Sequence, residues 1–369
     1  SGGIDSAVTV ALMREILGPD ASIRTFTAGF GGEASDLYDE RPLARRIAEH
    51  LHTDHTELLI EPDPLTMLDW VVDHYDAPFA DSSAVPTHLV CQAARPHVTV
   101  ALTGDGGDEA FAGYDRYRAM HLGQTMRPSM YFLTRCAAWV ARWFAAAEQR
   151  SRLRRLVRFA DGLGQPPAVQ YFAYRRLFTP EDLLILFTDD YLAEHEVDVY
   201  AGMDAFCDLY ARFEYPSAVT NAQLHDVHSY LPGDLLVKAD IASMAHSLEL
   251  RSPFLDHRVM QLGLSLPTDL KIRGHQGKWI LRQAFADALP PDVFAQPKRG
   301  FGVPLAHWLR FDLRDQMVEV LRAKNFRKRG IFRDEAILGL MNDHIRGVDD
   351  HAHRLWTLMV LARWLERNA

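Results

Sequence analysis

Two short stretches of this sequence carry residue types that could handle a polyphosphate. The first is Ser1-Gly2-Gly3-Ile4-Asp5-Ser6. Paired glycines let a backbone turn tightly and approach a ligand closely. A helix starting just after them offers free N–H groups, a ready seat for an anion, with Ser6 in the first turn. Asp5 would repel a bare phosphate, so it makes sense with a metal ion between carboxylate and phosphate. The second stretch is Thr103-Gly104-Asp105-Gly106-Gly107-Asp108-Glu109, followed by Ala110-Phe111-Ala112-Gly113-Tyr114. It puts three glycines and three carboxylates into seven residues. A carboxylate there could join Asp5 in completing a Mg²⁺ site on a nucleotide polyphosphate, since Mg²⁺ uses one or two protein carboxylates plus phosphate oxygens. By itself the hexapeptide reads equally well as a capped helix after a glycine turn. The second stretch tips the balance toward binding.

The elements that must position these loops are legible from periodicity. Residues 5–17 carry Ala7, Val8, Ala11, Leu12 and Ile16 at helical spacing, and Gly18-Pro19 stops the helix. Residues 23–30 read as a strand, 40–51 as a helix, 56–60 as a short strand, and 65–75 and 84–94 as helices. The apolar run 98–102 reads as a buried parallel strand. This βαβα order predicts an α/β fold, a doubly wound parallel sheet with extensive helical additions. Ligands bind such sheets at the carboxyl ends of the strands, where both loops would open on one crevice. A helical insertion is expected over 126–221, and a helical C-terminal part over 222–369, broken by loops at 251–257, 267–277 and 290–304. The nucleotide-binding core is then 1–125. The glycine turn at its start would normally follow a strand, so a strand is expected upstream of the given sequence.

Composition bounds the class. The chain has 369 residues, 48% hydrophobic and 24% charged, with a net charge of −9. That fits a folded protein and argues against a broadly basic surface for nucleic acid. Cys91, Cys136 and Cys207 form no CxxC pair or disulfide framework, as expected in a reducing cytoplasm. No stretch reads as a membrane span, because the most apolar one, 126–147, is broken by Arg127, Arg135 and Arg142.

The motifs resemble those of the asparagine synthetase family of ATP pyrophosphatases. Residues 1–6 resemble its pyrophosphate-binding loop, and 103–114 its second signature. Further blocks agree in order: Lys238-Ala239-Asp240, residues 244–257, Gly277-Lys278, and residues 297–304. The likeness extends to bacterial amidotransferases associated with polysaccharide or protein-sorting gene clusters. The resemblance implies an adenine nucleotide alpha hydrolase-like fold and ATP with Mg²⁺. The adenine would lie near residues 27–29, with Ala28 in contact. Ser1, Gly2, Gly3, Asp5 and Ser6 would hold the phosphates, and Thr103 and Gly104 would line the nucleotide. Asp5 and Asp108 would hold Mg²⁺.

A small-molecule carboxylate would be adenylated, releasing pyrophosphate, and ammonia would then give the amide and AMP. Charge on the phosphoryl oxygens is the catalytic problem, and preorganised cations answer it. Lys278 and Arg299 are the cations expected there, with Lys298 beside Arg299. Asp105 stands where synthetases proper often have Glu, a position thought to handle the proton as ammonia attacks; the shorter side chain puts aspartate as substrate in doubt. The family implies a glutaminase domain that supplies ammonia, and nothing in this sequence resembles one. A β-lactam-synthetase-like intramolecular amide former and a non-catalytic scaffold of a polysaccharide assembly system are the alternatives. A homodimer stays open.

Other features read more plainly. Glu249 and Arg251 suggest a mutual ion pair. His50, His52 and His55, like His351 and His353, cluster without a cysteine and do not suggest zinc. Two basic runs, 150–158 and 322–329, read as solvated helix faces, with a phosphate-rich partner or a membrane surface as the sharper alternative. The aromatic helix around Tyr131, Phe132, Trp139, Trp143 and Phe144 reads as core or interface.

Overall fold

The computed structural model describes residues 2–30, 39–60, 63–144, 152–295 and 302–368. The chain divides into two units: 1–62 with 83–118 and 219–304, and 63–82 with 119–218 and 305–369.

The first unit is mixed α/β. Helix α1 (Ile4–Leu17) buries Ala7, Val8, Thr9 and Ala11, and ends at Gly18, whose φ of +84° a side chain would resist. Arg14 ties that end down, donating to the Leu51 carbonyl at 2.9 Å and to the Ala21 carbonyl at 2.8 Å. Strand β1 (Arg24–Phe30) and strand β2 (Asp54–Ile60) are parallel, with Arg24 opposite Asp54 and Phe30 opposite Ile60. Helix α2 (Arg41–His50) makes the crossover and buries Leu43, Ala44, Ile47 and Ala48. Helix α4 (Ala84–Ala94) precedes strand β3 (Val100–Leu102). β3 pairs in parallel with β4 (Glu249–Arg251), Ala101 opposite Leu250. Among the described residues the strands form two separate two-stranded sheets.

Two expectations need correction here. β3 is parallel but not buried: Val100 and Leu102 are exposed, because a three-residue strand with one partner leaves its alternate side chains in solvent. Residue 251 begins no loop; it ends β4. The core lies beneath α1 and α2 instead, where Ala7, Val8, Leu43 and Ile47 meet Ala110, Phe111, Phe254, Met260 and Leu281.

The second unit is built on helices. They include α3 (Pro64–His74), α7 (Pro128–Phe144) and α8 (Arg152–Gly162). The C-terminal helix Ala352–Asn368 buries Leu355, Trp356, Leu358, Met359 and Val360. Arg367 clamps it to α3 through Asp69 at 2.9 Å and through Asp73. On α7 the aromatics do not form a core. Tyr131 is half-buried, whereas Phe132 and Trp139 are exposed; the side chains of Trp143 and Phe144 lie outside the described residues.

His344, on the helix Asp334–Ile345, is fully buried in this unit. Its Nδ1 accepts from the His351 N–H at 3.2 Å and lies 3.6 Å from Asp350. Burial, aided by Arg310, pushes its pKa from 6.5 down to about 4. The unfolded chain therefore binds a proton that the folded chain refuses. Stability contributed by neutral His344 is full above pH 6.5 and drains as pH falls toward 4. The expected loss over that window is about 3 kcal/mol. Urea unfolding at several pH values checks it: His344→Gln should flatten the slope between pH 6.5 and 4 relative to the wild type.

Candidate active site

The site is assembled where glycines let three segments of the first unit touch. A Cβ on Gly104 would lie 2.6 Å from the Asp5 Cβ and 3.0 Å from the Ser6 nitrogen. One on Gly107 would lie 2.6 Å from Asp5 Oδ1. The loop after β3 is thus pressed against the start of α1, and any side chain would push the two apart. Gly106 turns the loop with φ +85°, and helix α5 (Gly107–Ala110) follows it, with α6 (Asp115–Thr125) after that. The third segment enters at Gly277, whose Cβ would meet the Ala112 carbonyl oxygen at 2.6 Å. Gly113 is the tightest point: a Cβ there would fall 1.9 Å from Asp108 Oδ1 and 2.2 Å from Lys278 Cε.

These approaches bring Lys278 between two acids. Its ammonium lies 2.6 Å from Asp108 Oδ1 and also pairs with Asp5 Oδ2. Lys278 is only 5% exposed and caps the helix Trp279–Ala284 in a left-handed conformation, φ +54° and ψ +35°. That backbone costs a residue with a Cβ roughly 1–2 kcal/mol, and such strain persists where surrounding structure enforces it. Arg282 helps enforce it, donating to the Gly277 carbonyl at 2.8 Å and to that of Phe294 at 2.6 Å.

Asp5 Oδ1 is buried and, among the described residues, has no hydrogen-bond partner. An ionised oxygen so placed is costly unless a cation reaches it. The N-cap of α1 is Gly3, which has no side chain to cap the first turn. Hard carboxylate oxygens and a buried lone pair suit a small divalent cation such as Mg²⁺, while the nearby helix start suits the phosphate it would accompany. Among the described residues no group of three or more His, Cys, Asp or Glu converges on a metal position, so the remaining ligands would come from a bound phosphate or water.

The other expected site residues are placed as follows. Gly2 is buried, and its N–H donates to Glu40 at 3.1 Å. Gly3 precedes α1 as its cap, and Ser6 lies in the first turn beside Gly104. Thr103 Oγ1 donates to Asp105 Oδ2 at 2.8 Å, and Ser252 donates to the Asp105 carbonyl. Asp105 therefore belongs to the same loop as Asp108 without sharing its contact with Lys278. Ala28 sits on β1 opposite Leu58, next to Thr27, whose buried hydroxyl has no partner among the described residues. The guanidinium of Arg41 lies over Gly29, where a Cβ would be 2.1 Å from Arg41 Nε. Ser1, Lys298 and Arg299 lie outside the described residues. Glu249 and Arg251 form the plain ion pair, 2.8 Å apart and exposed.

Behind the loop stands a layer that motif reading missed. Gln223 on the helix Ala218–His228 is fully buried and donates to the carbonyls of Glu109 at 2.6 Å and Ala110 at 3.0 Å. Lys271, also fully buried, donates to Gln223 Oε1 at 2.8 Å, and burial lowers its pKa to about 8. One turn further, Asp226 accepts from Arg116 at 2.7 Å and Tyr117 at 2.6 Å. The Arg116 guanidinium stacks 3.7 Å over the Tyr114 ring. Tyr114 in turn donates to Glu109 at 2.6 Å, while burial raises the Glu109 pKa. Removing one partner from such a network strands the others in low dielectric, so it holds the loop in one shape. The signal was present: Gln223 and Asp226 are polar residues three apart on a helix flanked by apolar ones.

A family model described as asparagine synthase matches residues 1–366. The chain is 28% identical over 369 residues to a glutamine-hydrolysing asparagine synthetase of Bacillus subtilis, covering 100% of this chain and 55% of that protein. It is 32% identical over 370 residues to a candidate glutamine-hydrolysing asparagine synthetase of Mycobacterium bovis, covering 99% and 53%. A more distant relative is the amidase chry2 of Gibberella zeae, 24% identical over 363 residues, covering 89% and 52%. The chain spans about half the length of these relatives.

Proposed function

Since the chain belongs to the asparagine synthase family, we propose that it is the ATP-using part of an amide ligase. An oxygen of the acceptor carboxylate attacks the α-phosphorus, the bond to the bridging oxygen breaks, and pyrophosphate leaves. Ammonia then attacks the acyl carbon, gives up a proton, and displaces AMP. The observation that carries this reading is the meeting of Asp5, Asp108 and Lys278 on one buried spot.

In this reading Asp5 and Asp108 hold Mg²⁺, which when bound spreads the phosphate charge. Lys278 places its positive charge where charge grows on the phosphoryl oxygens. Gly2, Gly3 and Ser6 offer the start of α1 to the pyrophosphate, and Ser1 and Arg299 are proposed to join them. Thr103, Gly104 and Ala28 line the nucleotide. Asp105 accepts the proton that ammonia loses, with its carboxylate held by Thr103 at 2.8 Å. The β1–α2–β2 crossover and the parallel β3–β4 pair support a doubly wound nucleotide-binding fold. The relatives named as glutamine-hydrolysing are nearly twice as long, which supports a glutaminase domain as the ammonia source.

The test is product identity. Full-length protein is incubated with ATP, Mg²⁺ and a panel of carboxylates, with ammonia or with glutamine. One acid should release pyrophosphate and AMP in step with amide. Release of ADP and phosphate instead would rule out adenylation.

A further inference from the structure

Helix α7 is packed with its amphipathic character reversed. It pairs with α8 through a stripe of small or half-buried residues: Tyr131, Thr134, Ala138 and Ala141, spaced three and four apart. Ala138 and Ala141 are buried. The large apolar side chains lie on the opposite side. Phe132 is 72% exposed, Trp139 63%, Leu133 58% and Val140 50%. A helix that covers a core turns such residues inward. Contiguous large apolar groups left in solvent mark a surface that binds something.

The charge around this face says what it binds. Residues 127–158 hold eight arginines and a single acid, Glu148, in a chain whose net charge is −9; one of the eight, Arg154, is paired with Asp349. Arg127 and Arg135 on this stretch are exposed, as is Arg155 on α8. So concentrated a positive charge would repel a second copy of the same face. It complements phosphate, which arginine grips in bidentate fashion. Exposed Phe, Leu and Val, a Trp able to sit at headgroup depth, and an arginine rim describe a helix lying in the boundary of an anionic bilayer. Among the described residues no helix is long and apolar enough to cross a membrane, so contact would be from one side.

We propose that the α7–α8 pair docks the protein onto an anionic phospholipid surface. This goes beyond the ligase reading and does not rest on it. Full-length protein is sedimented with vesicles of phosphatidylcholine alone, or of phosphatidylcholine mixed with phosphatidylglycerol. Binding should be at least about tenfold stronger to the mixed vesicles and should weaken as salt is raised. The double substitution Phe132→Ser with Trp139→Ser should cut it about tenfold or more, with ATP–pyrophosphate exchange and circular dichroism unchanged. Arg127→Glu with Arg135→Glu should do the same through charge alone. The proposal is overturned if the wild type fails to bind the mixed vesicles, or if both variants bind as the wild type does. It is equally overturned if the face proves to be a protein contact, seen as self-association or attachment of another domain that the first variant abolishes without any vesicle binding.

Discussion

Asp108→Asn in the full-length protein lowers ATP–pyrophosphate exchange by at least about a hundredfold while leaving the chain folded. Asparagine keeps the shape and one oxygen but removes the charge. Among the described residues of the buried site, that carboxylate and Asp5 are the two proposed to hold a divalent cation. The fold survives because Lys278 keeps Asp5 as its partner and is not left as a lone buried cation. Asp5→Asn should behave alike, with Asp108 remaining 2.6 Å from the ammonium. Exchange at the wild-type rate in either purified variant would remove the metal assignment. A variant that unfolds at ordinary temperature, by circular dichroism, would show that the acids are structural instead.

Lys278→Ala is expected to reduce kcat by at least about a hundredfold and to change the KM for ATP by less than about threefold. The ammonium is held ready by two acids and by a strained backbone, an arrangement suited to charge that develops late rather than to ground-state binding. The substitution also leaves Asp5 and Asp108 facing each other without a cation. Like charges so close destabilise each other, and Mg²⁺ should relieve this. Thermal unfolding with and without Mg²⁺ should therefore show a larger stabilisation in the variant than in the wild type. If ATP affinity collapses while kcat holds, Lys278 is a binding residue and its proposed role is wrong.

What could be read in advance follows from where the information sits. Helices such as α1 and α4 carry their own spacing and stop signals, so their bounds fall within a residue of expectation. The glycine-rich loops were legible because only glycine survives where backbones nearly touch, as at Gly104 and Gly113. β3 misled because apolar content alone suggests burial, while its actual neighbour Glu249–Arg251 is polar and distant in sequence. The supporting layer of Gln223, Asp226 and Lys271 escaped because single polar residues on helices usually face water. The left-handed turn at Lys278 has no local signature, since Lys carries no preference for it; contact with Ala112 and Gly113 imposes it.

The pairing of Val100–Leu102 with Glu249–Arg251 also sets a timetable. A ribosome emits the carboxylate loop long before the strand that braces it, and Lys278 emerges later still. Until then Asp5 and Asp108 have no ammonium between them, and the loop after β3 has the start of α1 against it but neither β4 nor Ser252 to brace it. Long-range closure of this kind is slow relative to local helix formation. A nascent chain halted before residue 249 should expose the unpaired edge of β3, and should be cut by protease between residues 103 and 113 more readily than the finished protein. The site is thus among the later parts of its unit to become whole, which ties competence for chemistry to the emergence of residue 278.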